Sequence, residues 1–149
     1  MSFYGEYEQT AKADGRYSLV NIVKEKGKNL MKHIYLNLKR FDVPVEFGGV
    51  NRLAPVADWA SCIVKNTQEE LKTYDPTEVE FGMYFPEVHL LNAVAAKTEG
   101  SPVQIGCQSV FRADTAVGGN FGAFTTNRPA SAMVAAGCET TIIGHCEER

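Results

Sequence analysis

Ala136-Gly137-Cys138-Glu139-Thr140-Thr141-Ile142-Ile143-Gly144-His145-Cys146-Glu147-Glu148-Arg149 is the stretch on which the reading of the fold turns. Small residues lead into a β-branched run, Thr140 to Ile143, which stops at Gly144-His145 with two carboxylates beyond. β-branched side chains favour extended backbone, and glycine followed by polar residues ends it, so the pattern reads as a buried strand opening on a polar mouth. His145, Cys146 and Glu147 would then stand together at one strand end.

Working back from that strand, the chain alternates between strand and helix patterns. A short helix is predicted over 130–136 with Gly137 as its stop, and before it comes a long loop, 111–127, that holds Gly118, Gly119 and Gly122. Loops of that length inside a compact unit are usually functional or disordered. Val103 to Val110 is an apolar run predicted as a strand. A helix is predicted from about Glu87 to Lys97, with Val88, Leu91 and Ala95 on one face and Gly100 closing the unit. His89 falls on that helix, remote from the mouth, which suits a surface or packing role. Val79, Phe81, Met83 and Phe85 alternate with Glu78, Glu80, Gly82 and Tyr84 as a further strand, which Pro86 ends. Leu53 to Lys72 reads as a helix with an apolar stripe of Val56, Trp59, Ala60, Ile63 and Val64, and Pro55 suits its first turn. His33 to Lys39 is apolar enough for a buried strand, and on it Asn37 and Lys39, two apart, share one side. Strand and helix thus alternate three times before a fourth strand, which predicts an α/β fold with a parallel sheet.

Three motifs in this order resemble the triose-phosphate isomerase family. Gly144-His145-Cys146-Glu147 resembles its fourth-strand Gly-His-Ser-Glu, with Cys146 in place of Ser. Gly122-Ala123-Phe124-Thr125 matches its third loop, and Asn37-Leu38-Lys39 its first-strand Asn-x-Lys. Departures accompany the match: Leu36 and Leu38 replace the usual Gly and Trp, Arg40-Phe41 the usual Met-Asn, and Thr126-Asn127 the usual Gly-Glu. The loop from Asp42 to Arg52 is also longer than the family usually has, a place where specificity could differ.

The resemblance covers residues 31–149 and implies a partial (β/α)8 barrel, its first four strands with three intervening helices. A complete barrel takes about 250 residues, so we expect a fragment, or one of two pieces that assemble. Four strands alone would leave an open sheet edge and an apolar inner face, and the piece is expected to associate or to pack poorly. Residues 1–30 have no family counterpart. They form an N-terminal extension, either an appended arm or translated sequence ahead of a start at Met31, and Leu19, Ile22 and Val23, with Gly27 beyond, suggest a short amphipathic helix in it.

The chemistry implied is proton transfer through an enediolate, interconverting glyceraldehyde 3-phosphate and dihydroxyacetone phosphate. By resemblance His145 is the electrophile that polarises the carbonyl, Lys39 balances phosphate and oxyanion charge, Asn37 helps bind and orient the substrate, and Glu147 supports His145 from behind. Triose-phosphate isomerase is itself the standard example of a glutamate base paired with a neutral histidine. That glutamate belongs to a Tyr-Glu-Pro-Val-Trp segment which has no match here, so this chain alone is expected to be inactive or nearly so. The resemblance also implies a homodimer in the full-length form, with Thr125 and Phe124 at its interface, no metal and no cofactor. Two other readings stand beside it: a sister isomerase acting on a tetrulose phosphate, and a non-catalytic half-barrel that serves in assembly or binding. An unrelated α/β protein with an ordinary strand-end histidine is the blandest.

Composition is consistent with these readings. Hydrophobic residues make up 44%, charged residues 22%, and the net charge is −3, with no basic excess to favour nucleic acid. No stretch approaches the roughly 20 apolar residues of a membrane span, nor the apolar core of a secretory signal, and the cytoplasm is the expected location. Cys62, Cys107, Cys138 and Cys146 form no Cys-x-x-Cys pair and are expected to be reduced, acting as small hydrophobes. Cys146, beside His145, is the one that could be more reactive, although packing is its expected role too.

Overall fold

The computed structural model describes residues 7–11, 17–21 and 30–148. The elements are β1 (Tyr7–Ala11), β2 (Tyr17–Asn21), β3 (Lys32–Asn37), α1 (Trp59–Leu71), β4 (Val79–Phe85), α2 (Leu90–Ala95), β5 (Val103–Cys107), α3 (Ala130–Ala135) and β6 (Thr140–Thr141). They build one six-stranded sheet in sequence order. β3 to β6 run parallel, curled into a half-barrel with helices between the strands. β1 and β2 form an antiparallel pair, and β2 meets the edge of β3 at Asn21↔His33. Among the described residues no helix is long and apolar enough to cross a membrane.

One side of the parallel strands carries the core. Leu38, Met83, Phe85, Val103, Ile105 and Cys107 face α1 and α2, whose Trp59, Ala60, Val64, Leu90 and Ala93 close over them. The buried Gln68 ties the two helices together by donating to the Ala96 carbonyl and accepting from the Thr98 N–H, both at 3.0 Å. Gly137 has φ of +92°, a left-handed stop that turns the chain from α3 into β6 and that a side chain would strain.

Four expectations change here. Leu19 lies in β2, paired with Gln9, and not in a helix, while Ile22, Val23 and Gly27 fall outside the described residues. The aromatic and β-branched Tyr17 and Val20 suit a strand as well as the helical spacing suits a helix. The first barrel strand stops at Asn37, two residues short of Lys39. On α2 the apolar face predicted from Val88, Leu91 and Ala95 points outward, Val88 and Leu91 being 68% exposed. The chain enters that helix through a 3-10 turn at Glu87–His89, which turns His89, Leu90 and Ala93 inward instead. The inner face of the half-barrel is not apolar. Strand alternation and register place His33, Tyr35 and Asn37 of β3 beside Glu80, Gly82 and Tyr84 of β4, then Gln104 and Gly106 of β5. Two tyrosines fill this face in an edge-to-face pair with centroids 5.8 Å apart. Each lies over a glycine of the next strand: a Cβ at Gly82 would come 2.7 Å from the Tyr35 ring, and one at Gly106 would come 2.6 Å from the Tyr84 ring. What is apolar and open lies on the opposite side of β3, where Ile34 and Leu36 are 42% and 47% exposed.

At the lower end of the inner face the Tyr35 hydroxyl donates to Glu80 Oε1 at 3.1 Å, and His33 Nδ1 lies 3.1 Å from Glu80 Oε2. Partial burial, then the hydrogen bond and charge of Glu80, push Tyr35 up to about 12. An unfolded tyrosine titrates near 10. The raised value therefore contributes stability that is fully present below about pH 10 and drains away as pH rises through about 12. Urea unfolding across this alkaline range is expected to show a steeper loss for the wild type than for Tyr35→Phe. Parallel curves would contradict the assignment.

Candidate active site

The ends of three parallel strands converge on one cavity. Past β3 the chain makes a turn in which Lys39 has φ of +44°, a left-handed conformation that costs a non-glycine residue about 1–3 kcal/mol. The neighbours hold it there. The Lys39 N–H donates to Asn37 Oδ1 at 3.0 Å. Gln108, just past β5, donates from Nε2 to the same Asn37 oxygen and to the Lys39 carbonyl, each at 3.1 Å. Both peptide groups of Lys39 are thus tied to one amide cluster. Asn37 and Lys39 line one cavity, brought together by this turn and not by strand alternation.

The third contribution comes from β6. Only Thr140 and Thr141 form ladder pairs, and the Ile142 N–H then donates to the Cys107 carbonyl at 3.2 Å. The strand is shorter than its β-branched run because Gly144, with φ of +79°, turns the chain sharply before His145. The Glu147 N–H donates to His145 Nδ1 at 3.4 Å. The Glu147 carboxylate stands 3.5 Å from the same Nδ1.

Asn37, Lys39, Gln108, His145 and Glu147, with Arg40 and Phe41, line a cavity of about 340 Å³. A larger one, about 700 Å³, adjoins it between the 111–127 loop and the end of β6, lined by Arg112, Arg128 and Ile143 among others. The smaller cavity is the better candidate for chemistry, because only it combines an imidazole, an ammonium and an amide. Gln108, Arg40 and Phe41 are additions to the residues singled out from sequence. Gln108 falls inside the 103–110 run predicted as a strand, which in fact ends at Cys107, and its partners are 69 and 71 residues away.

Other candidates are placed elsewhere. Thr125 is exposed and Phe124 packs edge-on against Phe111 within its own loop, centroids 5.6 Å apart, and neither lines the cavity. That loop is tied to the start of α3: Asp114 accepts from the Ser131 hydroxyl and N–H, which hold its carboxyl below the usual carboxylate range. His89 is buried, consistent with a packing role and not a surface one. Cys146 is exposed, its Sγ 4.0 Å from His145 Nδ1, so the expectation that it packs does not hold: the turn at Gly144 carries it out of the core. Cys107, in contrast, is buried beneath the strand ends. A hydrogen bond from Cys138 pulls its thiol down to about 6 against the effect of burial, while sharing that contact pushes Cys138 up. Among the described residues no three metal-ligating side chains cluster.

A comparison with curated proteins found no match. The family model described as Triosephosphate isomerase matches residues 57–149. The match takes in α1, β4, α2, β5, α3, β6 and the His145 turn, while Asn37 and Lys39 lie ahead of it. It spans more than half of the 149 residues and coincides with parallel strands curled into a half-barrel, so the chain belongs to the triosephosphate isomerase family.

Proposed function

We propose that this chain supplies the first half of a sugar-phosphate isomerase site for the interconversion of glyceraldehyde 3-phosphate and dihydroxyacetone phosphate. The observation that carries the reading is the single cavity in which Lys39, Asn37 and His145 meet from different strand ends. Isomerisation removes a proton next to a carbonyl and returns it to the neighbouring carbon through an enediolate. Charge builds on the carbonyl oxygen, and donors already fixed in place stabilise it best. His145 donates to that oxygen from its imidazole. Lys39, held by the Asn37–Gln108 amide cluster, balances the phosphate and oxyanion charge. Glu147 fixes the imidazole through its main-chain N–H. Membership of the family supports isomerase chemistry in general, and the resemblance of these three residues to the family's motifs supports a triose phosphate as the particular substrate.

No residue of 1–149 is assigned as the general base on this reading, since the segment that carries the family's glutamate has no match here and Glu147 matches the supporting position beside His145. Loss of a general base costs about 10²–10⁴-fold, so the chain alone is expected to show little or no turnover. A C-terminal half-barrel that carries the glutamate would complete the site, and Thr125 and Phe124 would meet a second subunit in the completed homodimer of cytoplasmic sugar metabolism. The missing base also favours a second reading, a non-catalytic half-barrel used for assembly or binding. The test is a coupled assay of triose-phosphate isomerisation by the chain alone and after refolding with a family C-terminal half. Activity that appears only on mixing, and that His145→Gln removes, supports the isomerase reading. Turnover by the chain alone would overturn the assignment of the base, and a stable mixed complex without turnover would favour the second reading.

A further inference from the structure

Arg40 lines the same cavity as Lys39, and what holds it lies in the core. Its Nη2 donates to Asp42 Oδ2 at 2.7 Å, and the same oxygen lies 2.9 Å from His89 Nε2. Asp42 and His89 are 1% and 2% exposed, whereas Arg40 is 63% exposed. A chain of three groups thus runs from the cavity wall to the first turn of the α2 segment, where the His89 ring packs against Trp59 with centroids 5.1 Å apart. Asp42 is fixed by its main chain as well, its carbonyl accepting from Asn51 Nδ2 at 3.0 Å.

This is an unusual setting for a surface arginine. Exposed ion pairs hold their partners loosely, because two long side chains must be ordered against water. Here the carboxylate is buried and already oriented, so the guanidinium is ordered at little further cost. Asp42 takes one of its five N–H donors, and the fork geometry of the others suits an oxyanion. An ion pair with one exposed partner adds little stability, which leaves position as the more economical reason for this one.

We propose that Arg40 is a specificity-determining contact for the phosphate of the ligand in the Lys39 cavity, and that Asp42 and His89 are positioning residues acting through it. The proposal rests on the reading of that cavity as a sugar-phosphate site. Calorimetric titration of the whole chain with glycerol 3-phosphate, and separately with inorganic phosphate, tests it. The wild type is expected to bind glycerol 3-phosphate more tightly than inorganic phosphate. Arg40→Met should weaken glycerol 3-phosphate about tenfold, the worth of one hydrogen bond to a charged group, and Arg40→Lys should recover part of the loss. Asp42→Asn should also weaken binding, but the double variant with Arg40→Met should bind no worse than Arg40→Met alone, a non-additivity that a merely structural role for Asp42 would not produce. Wild-type affinity in Arg40→Met, with binding lost in Lys39→Ala, would overturn the proposal and leave the site reading intact. Additive losses would overturn the positioning role of Asp42. Failure of the wild type to bind glycerol 3-phosphate would overturn the site reading and this proposal together.

Discussion

Replacing His89 with alanine is expected to lower the unfolding free energy by about 1.5–3 kcal/mol, the worth of a hydrogen bond to a charged group, with the loss of ring packing added to it. The size of the effect comes from what is left behind. Asp42 Oδ1 already has no hydrogen-bond partner, and Oδ2 would keep only the exposed Arg40. The variant would therefore leave the buried carboxylate with Arg40 as its one side-chain partner, and would also open a cavity against Trp59. Because the cost is that of an orphaned group, removing both members should be milder than their sum. Urea unfolding of His89→Ala, Asp42→Ala and the double variant checks this. A double variant as unstable as the two single losses added together would contradict the account.

Phe85→Ala is expected to cost about 3–5 kcal/mol, the range for deleting a large aromatic side chain from a packed core. Phe85 is fully buried, makes an edge-to-face pair with Trp59 at 6.0 Å and 85°, and ends β4 beside Cys107 of β5. It thereby joins the sheet to α1 directly beneath the strand ends that carry the candidate site. Loss of the ring should lower the urea midpoint with little change in slope. A loss under about 1 kcal/mol would mean that the strand ends are supported by other contacts.

The parts of this fold that follow a local period were legible from residues alone. The alternation of Val79 to Phe85 marked β4 with both its bounds, the stripe through Trp59, Ala60 and Val64 marked the buried side of α1, and Gly137 marked the end of α3. The meeting of Asn37, Lys39 and His145 was legible too, but from motif order and not from any period. What was not legible depends on partners far apart in sequence. The inward turn of α2 is bound up with His89 finding Asp42, 47 residues away. The aromatic inner face depends on Tyr35 and Tyr84 each meeting a glycine on the next strand, a match that appears only once the register is known. Lys39 in a left-handed turn leaves no trace in a strand pattern, because the amides that stabilise it belong to side chains of β3 and of the segment after β5.

One cavity at the strand ends, built from Asn37, Lys39, Gln108 and His145, is proposed to take a phosphorylated three-carbon ligand. Nuclear magnetic resonance of the labelled chain during titration with glycerol 3-phosphate tests it most directly. The account predicts saturable shifts concentrated on the backbone around Lys39, the side-chain amides of Asn37 and Gln108, and the His145 ring, with glycerol itself producing none. Shifts confined to the larger cavity around Arg112 and Ile143, or an unchanged spectrum at millimolar ligand, would contradict it.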